Sequence, residues 1–183
     1  MPQAVTHILV PILLMSLIRD KILKVNTKKH FPLHYVFIAG IGGVLPDIDI
    51  VISVILKLFS VSNWWIHKTF THSLFFPLIF LLLALVFMPM HAKAKICNLG
   101  RHKMKLSIIF LMLSIGTLIH IFLDLLAGES AFLFYPFLIQ DYGINLFSLL
   151  PFEWSITAAL IDGILLVLWI SYLEFKHRIS DFI

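Results

Sequence analysis

Two residue types with strong metal-binding chemistry, histidine and aspartate, occur inside the apolar stretches of this sequence. The clearest pair is His120 and Asp124, which lie in one long apolar run. A spacing of four residues places both side chains on the same face of a helix, and an imidazole beside a carboxylate is a frequent arrangement in the metal sites of helical bundles. The alternative is a buried hydrogen bond between the two groups, which would satisfy both without a metal.

A second candidate is the sequence Gly-Ile-Gly-Gly-Val-Leu-Pro-Asp-Ile-Asp at residues 40–49. Pro46 removes a backbone donor and interrupts a helix, while the glycines permit close approach of neighbouring backbones. Together they could bring Asp47 or Asp49 to a fixed point inside a helix bundle. The alternative is a kink that carries two solvated aspartates near the membrane surface.

Three more histidines and one more aspartate extend this set. They are His7 in the first apolar run, His67 and His72 at the ends of His-Lys-Thr-Phe-Thr-His, and Asp162 in the last apolar run. Each has a simpler explanation by itself: hydrogen-bonded packing for His7, solvation for the loop histidines, and helix packing or capping for Asp162. An aspartate at the centre of a membrane helix costs about 2.5 to 3.5 kcal/mol, so the whole set indicates a functional cluster.

The elements that must position these residues are membrane helices. Hydrophobic residues make up 60% of the 183 residues and charged residues 13%, whereas soluble domains carry about 25% charged residues. Helices are expected because an open sheet cannot satisfy its backbone in lipid. We therefore predict an all-α fold, a polytopic membrane helix bundle in a single domain over residues 1–183. Its five predicted segments are residues 4–18, 35–59, 73–90, 106–127 and 155–173.

The basic residues predict the orientation of this bundle. Of the 14 Lys and Arg residues, twelve lie in three stretches: the one after segment one, the one after segment three and the tail. These stretches share one side if all five segments cross, and the positive-inside rule places that side in the cytoplasm. The candidate ligands then lie in the outer half of the cell (inner) membrane. Because the charges flank apolar runs, the net charge of +4 indicates membrane association, and we expect no nucleic-acid partner.

Four motifs follow one another along most of the chain: Thr-His7, Gly-x-x-Pro-Asp47-Ile-Asp49, His67-x-x-x-Thr-His72-Ser73 and Gly-x-x-x-His120-x-x-x-Asp124. In this order they resemble the YdjM-like family of membrane-bound metal-dependent hydrolases. That family is distantly similar to zinc-dependent phospholipase C, a helical fold in which His and Asp from several helices hold zinc. The resemblance implies that the metal ligands are His7, Asp47, His67 or His72, His120 and Asp124. It does not separate Asp47 from Asp49.

These inferences predict a zinc-type hydrolase that cleaves an ester or phosphoester of a lipid at the outer face of the membrane. We expect one or two divalent ions, zinc first and manganese or magnesium as alternatives, and membrane lipid as substrate or solvent. Asp49 or Asp162 would act as the general base. Two other functions stay open: a small transporter or proton relay, since intramembrane His and Asp also serve pumps, and a membrane scaffold with structural His–Asp pairs.

Overall fold

The computed structural model describes residues 4–22, 31–59, 68–90, 93–94, 104–129, 131–149 and 154–177. These residues form six α-helices, two 3-10 turns and one pair of short antiparallel strands. The helices are α1 (Ala4–Ile22), α2 (Leu33–Gly42), α3 (Ile48–Leu58), α4 (Phe75–Phe87), α5 (Leu106–Ala127) and α6 (Trp154–His177). The strands are β1 (Lys93–Ala94) and β2 (Met104–Lys105), and the 3-10 turns are Leu45–Asp47 and Leu146–Leu149. The predicted all-α class is confirmed.

The described helices differ in whether they could cross a bilayer. By length and composition two of them could do so, Leu106–Ala127 and Ile156–Lys176. A third span is counted if Leu33–Gly42 and Leu45–Leu58, which are bent by 41°, form one broken span. In the first predicted segment, α1 has Arg19 and Lys21 in its last turn. In the third, α4 has 13 residues, fewer than the roughly 20 of a full span.

Helix α2 packs on both α1 and α5, and these three helices form the core. The buried side chains include Val36 and Ala39 of α2, Leu9 and Ile12 of α1, and Ile109 and Met112 of α5. Glycines bring α2 and α5 into backbone contact, since a Cβ added at Gly116 would lie 2.1 Å from the carbonyl oxygen of Ala39. This contact lies one helical turn before His120 and therefore aims that side chain at the end of α2.

Helix α2 ends where the sequence predicts an interruption. Pro46 lacks the N–H that would bond to the carbonyl of residue 42, and α2 accordingly ends at Gly42. Gly43 and Val44 turn the chain, and Pro46 lies in the following 3-10 turn, where its missing donor costs little. The break brings Asp47 to His120 of α5 and Asp49 to the turn that contains Thr71 and His72.

Candidate metal centre

The structure brings six of the predicted residues into one cluster. They are His7 from α1, Asp47 from the 3-10 turn, Asp49 from the start of α3, His72 from the turn before α4, and His120 and Asp124 from α5. All are buried except Asp47, whose side chain is 23% exposed. Charged and polar side chains at this burial must pair with one another or with an ion.

Four donor atoms at the centre of this cluster, called here the four-donor set, are joined by five short distances, each of which involves a histidine nitrogen. The Nε2 of His72 lies 3.3 Å from the Nε2 of His120. The Oδ2 of Asp124 lies 3.5 Å from the first nitrogen and 3.3 Å from the second. The Oδ1 of Asp47 lies 3.6 Å from both nitrogens. Two overlapping groups could hold a metal ion, Asp47–His72–His120 and His7–His120–Asp124.

The orientation of His120 is set by the break after α2. Its Nδ1 lies 2.7 Å from the carbonyl oxygen of Gly43. A carbonyl can only accept, so Nδ1 carries the proton and Nε2 keeps a free lone pair directed into the four-donor set. Gly43 can approach so closely because it has no side chain, since a Cβ there would lie 2.0 Å from the carbonyl oxygen of His7.

Asp49 contacts His72 on the side of the ring that faces away from the four-donor set. Its Oδ2 lies 3.4 Å from the Nδ1 of His72, on the opposite side of the ring from the four-donor set. The same oxygen accepts a hydrogen bond from the Thr71 hydroxyl at 2.7 Å and one from the backbone N–H of Lys68 at 3.2 Å. A carboxylate behind a histidine is the arrangement that orients metal-binding imidazoles, and here it separates the positions of Asp47 and Asp49.

The turn that carries His72 is tied to the loop after α5. Lys68 adopts a left-handed backbone with φ 63°, and its Nζ lies 2.5 Å from Glu129 Oε2, just beyond the end of α5. The backbone N–H of Leu74 donates to the carbonyl of Leu133 at 2.9 Å. These contacts fix the height of the His72 ring relative to His120.

The electrostatics of the cluster favour a cation. Burial by itself lowers the pKa of His72, but hydrogen bonds with Asp47 and Asp49 and the charges of Asp49 and Asp124 outweigh it and raise that pKa to about 9. Without a metal, His72 therefore carries a proton at neutral pH, and this positive charge compensates the surrounding carboxylates. A divalent ion would replace that proton.

His7 contacts the cluster from α1. Its ring stacks on that of His120 with centroids 3.9 Å apart, and its Nε2 lies 3.3 Å from Asp124 Oδ1, the oxygen that the four-donor set does not use. Its Nδ1 has no hydrogen-bond partner among the described residues. His7 thus holds the second oxygen of the carboxylate whose first oxygen belongs to the four-donor set.

The profile of one protein family, described as YdjM inner membrane protein, matches residues 1–180. The chain belongs to the YdjM family. Membership and the apolar helices together identify an inner membrane protein. No curated protein and no solved structure matches the chain, and the distant similarity to zinc-dependent phospholipase C stays a prediction.

One predicted residue of this YdjM-family chain, Asp162, lies apart from the four-donor set. The Oδ1 of Asp162 accepts a hydrogen bond from the hydroxyl of Thr6, and its other oxygen has no partner among the described residues. Asp162 therefore reaches the cluster through the residue before His7, and the described contacts do not bring it to the ligand atoms. His67 lies outside the described residues.

Three contributors to the cluster are absent from the set predicted from sequence. The carbonyl of Gly43 orients His120, while Thr6 and Thr71 hydrogen-bond to aspartates. The two threonines had a local signal, because each directly precedes a predicted histidine in a Thr-His pair. The carbonyl had none, since any residue supplies one and only the helix break turns it towards α5.

Proposed function

We propose that this protein is a metal-dependent hydrolase of the inner membrane that cleaves an ester or phosphoester of a lipid. Donors of the four-donor set would hold one divalent ion, with zinc as the first choice. The single observation that carries the proposal is that donor atoms of Asp47, His72 and His120 lie 3.3–3.6 Å apart, although they come from two turns and a helix that are far apart in sequence.

The spacing of Asp47, His72 and His120 is compatible with zinc. Their donor atoms lie 3.3–3.6 Å apart, and the centre of such a triangle lies about 2.0 Å from each atom, which matches zinc–imidazole and zinc–carboxylate bonds. Octahedral magnesium bonds of about 2.1 Å would require neighbouring donors about 3.0 Å apart. Both possible groups include His120, which favours one ion over two.

Hydrolysis is the chemistry that such an ion supplies, because it lowers the pKa of a coordinated water and polarises an ester or phosphoryl oxygen. Asp47 is the one donor residue with appreciable exposure, so substrate would approach from its side. The other three donors lie in the buried interior and exclude water from the opposite side.

The remaining acidic and basic groups then have positioning roles. Asp49 orients His72, and His7 orients Asp124 through its second oxygen. Asp162, a predicted general base, would act through Thr6 on the position of His7. In this assignment Asp49 and Asp162, the two predicted general bases, position other residues of the cluster instead. Asp47 is then the donor on the side from which substrate approaches.

The site is proposed to face the outer half of the membrane. His120 follows the start of α5 by 14 residues, or about 21 Å at 1.5 Å per residue. That distance is about two thirds of a hydrocarbon core of roughly 30 Å. Since α5 begins next to the basic stretch that the positive-inside rule assigns to the cytoplasm, the four-donor set would lie in the far half.

The first experiment is the metal content of detergent-purified protein, measured by mass spectrometry. We expect about one zinc ion per chain, lost in Asp124→Ala and His120→Ala and kept in Asp141→Ala, which removes an exposed carboxylate outside the cluster. Membrane insertion and a monodisperse elution profile control for folding. Full metal content in both ligand variants would reject the site, and so would a metal-free wild type after zinc is added back.

A second candidate function is a structural metal centre in a membrane scaffold. It is favoured by the burial of His72, His120 and Asp124, whose side chains are at most 5% exposed, because structural zinc sites are closed whereas catalytic sites keep an open position. Cobalt substitution separates the two functions. Inorganic phosphate added to the cobalt protein should change its visible absorption bands if the ion accepts a substrate oxygen, and an unchanged spectrum would favour the structural centre.

A proton relay is less well supported. Such a relay needs polar side chains that continue through the membrane. Below the cluster, the Ser114 hydroxyl donates to the carbonyl of Pro77. The Thr117 hydroxyl shares its hydrogen bond between the carbonyls of Leu113 and Ser114. Hydroxyls satisfied in this way stabilise helix packing and do not extend a path from the cluster.

A further inference from the structure

An apolar groove of about 340 Å³ adjoins the metal centre. Its walls come from three helical elements and the turn between two of them. The lining side chains used below are Ile8 of α1, Ile41 of α2, Val44 and Asp47 of the turn, and Ile48 and Val51 of α3. Asp47 is the one polar residue in the lining, and it also belongs to the four-donor set.

The groove results from the same helix break that builds the centre. The α2–α3 pair bends by 41° at the turn, so the side chains on either side of the bend diverge. Gly40 also lines the groove. The rim is open laterally, since Ile41 is 59% and Val51 56% exposed. In a membrane protein such an opening faces the hydrocarbon chains of lipids.

We propose that this groove binds one hydrocarbon chain of the lipid substrate, so that the ester or phosphoester at the end of the chain reaches Asp47. The proposal rests on the proposed function and specifies its substrate class. A ligand pocket usually measures about 300 to 1,000 Å³, and a volume near the lower limit suits a single chain. The transition from apolar lining to one carboxylate marks where the chain ends and the polar group begins.

This arrangement separates binding from reaction. The chain would select lipids by length and shape through apolar contacts, while the metal centre would act on the polar group. Soluble phosphoesters without a chain should therefore bind poorly even when the centre is complete. Lipids whose polar group is attached to one long chain should bind saturably, unlike the non-specific lipids that surround any membrane helix.

The test uses photo-crosslinking of the full-length, metal-loaded protein in detergent. The probe is a lysophosphatidic acid with a diazirine near the end of its chain, and labelled peptides are identified by mass spectrometry. Saturable labelling of α2 and α3 is expected, and unlabelled lysophosphatidic acid should compete with it, whereas glycerol phosphate should not. Val51→Trp fills the groove and should therefore weaken probe binding, so that the half-saturating probe concentration rises by about tenfold.

Val54→Trp is the matched control for this substitution. It adds the same bulk to the same helix at a position with nearly equal exposure, 53% against 56%, but Val54 does not line the groove. Its labelling should equal that of the wild type. Labelling that does not saturate, or that changes equally in the two variants, would overturn the proposal.

The failure of this proposal is distinguishable from failure of the proposed function. If Val51→Trp changes neither the metal content nor the hydrolysis of a lipid phosphoester, the hydrolase function stands and the groove is rejected as the binding site of the chain. Saturable groove labelling in a protein that binds no metal would support the chain site and reject the hydrolase.

Discussion

At the scale of single residues, the two nitrogens of an imidazole, like the two oxygens of a carboxylate, contact different partners. His120 donates from Nδ1 to the Gly43 carbonyl and presents Nε2 to the cluster. Asp124 divides its oxygens between His7 and the two other histidines. Because each group is bound on the side away from the cluster, the ligand atoms are held in place before any ion arrives, which reduces the entropy that binding must overcome.

The Asp49 carboxylate provides a test of positioning. Asp49→Asn keeps the size of the side chain but weakens its interaction with the Nδ1 of His72. Loss of such a supporting carboxylate typically costs about 10- to 100-fold in metal affinity. We expect that decrease in a zinc titration against a competing chelator, with full occupancy restored at high zinc.

Two controls define this experiment. Asp141→Asn, which alters an exposed carboxylate, should leave the affinity unchanged, and Asp47→Asn should lower it more because it changes a donor itself. If Asp49→Asn bound zinc with the same affinity as the wild type, the aspartate would have no influence on the centre.

The charge state of His72 predicts a pH dependence of metal binding. The pKa of His72 is raised to about 9 by the aspartates around it, so zinc must displace a proton at every pH below that value. The apparent affinity should increase by about tenfold per pH unit as pH rises towards 9, with about one proton released per zinc at pH 7 to 8. Calorimetry in buffers of different ionisation enthalpy measures this release, and a flat profile would contradict the assignment of His72 as a ligand.

At the scale of elements, the centre depends on how closely three helices approach at one level. Gly43 touches the backbone of α1, and Gly116 touches that of α2. Neither contact leaves room for a methyl group, and in both cases the opposing atom is a backbone oxygen that cannot rotate away. The helix break and the glycine contacts therefore act together: the first exposes the Gly43 carbonyl, and the second brings α5 within its reach.

Substitution of these glycines should destabilise the bundle. In Gly43→Ala the new Cβ would lie 2.0 Å from the His7 carbonyl oxygen, and in Gly116→Ala 2.1 Å from that of Ala39. Overpacking against backbone costs about 1 to 3 kcal/mol or more, so thermal unfolding in detergent should shift to lower temperature in both variants. Zinc affinity should fall furthest in Gly43→Ala, since its carbonyl orients His120.

Gly163→Ala is the matched control within a helix. A Cβ at Gly163 meets nothing within 4 Å, and alanine is favoured over glycine in a helix interior by up to about 1 kcal/mol. This variant should unfold at the same temperature as the wild type or slightly higher. If all three glycine variants behaved alike, close packing could not be the cause.

At the scale of the whole molecule, the orientation of the bundle decides which compartment the centre faces. The basic stretch between α4 and α5 contains Cys97, the one cysteine of the chain. Asp141 lies between α5 and α6 and is exposed. The positive-inside rule predicts that these two positions lie on opposite sides of the membrane, with the cysteine in the cytoplasm.

Labelling with a membrane-impermeant maleimide tests this orientation. Cys97 should react in inverted membrane vesicles and stay unlabelled in intact cells. In a Cys97→Ser background, Asp141→Cys should show the reverse pattern. Reactivity of Cys97 from outside would place the metal centre towards the cytoplasm and would change the leaflet from which the substrate comes, without affecting the ligand set.

Much of this protein was predictable from sequence because membrane folding leaves few alternatives. Composition determined the all-α class, since only helices or closed barrels satisfy their backbone in lipid. Spacing identified His120 and Asp124 as one face of a helix, and Pro46 marked a real helix end. Hydropathy along the chain does not show where helices end or bend, so only the structure separates the two or three helical segments that could cross a membrane by length and composition from the shorter α4.

Only the tertiary structure decided how the candidate residues are arranged around one another. Asp47 and Asp49 are two residues apart and chemically identical in the sequence, yet one carboxylate approaches the Nε2 of His72 and the other its Nδ1. Likewise, Asp162 meets Thr6, at a separation of 156 residues. Residue type and local spacing determine which groups can bind a metal, whereas the distances between groups on different helices arise from packing, and it is those distances that form the site.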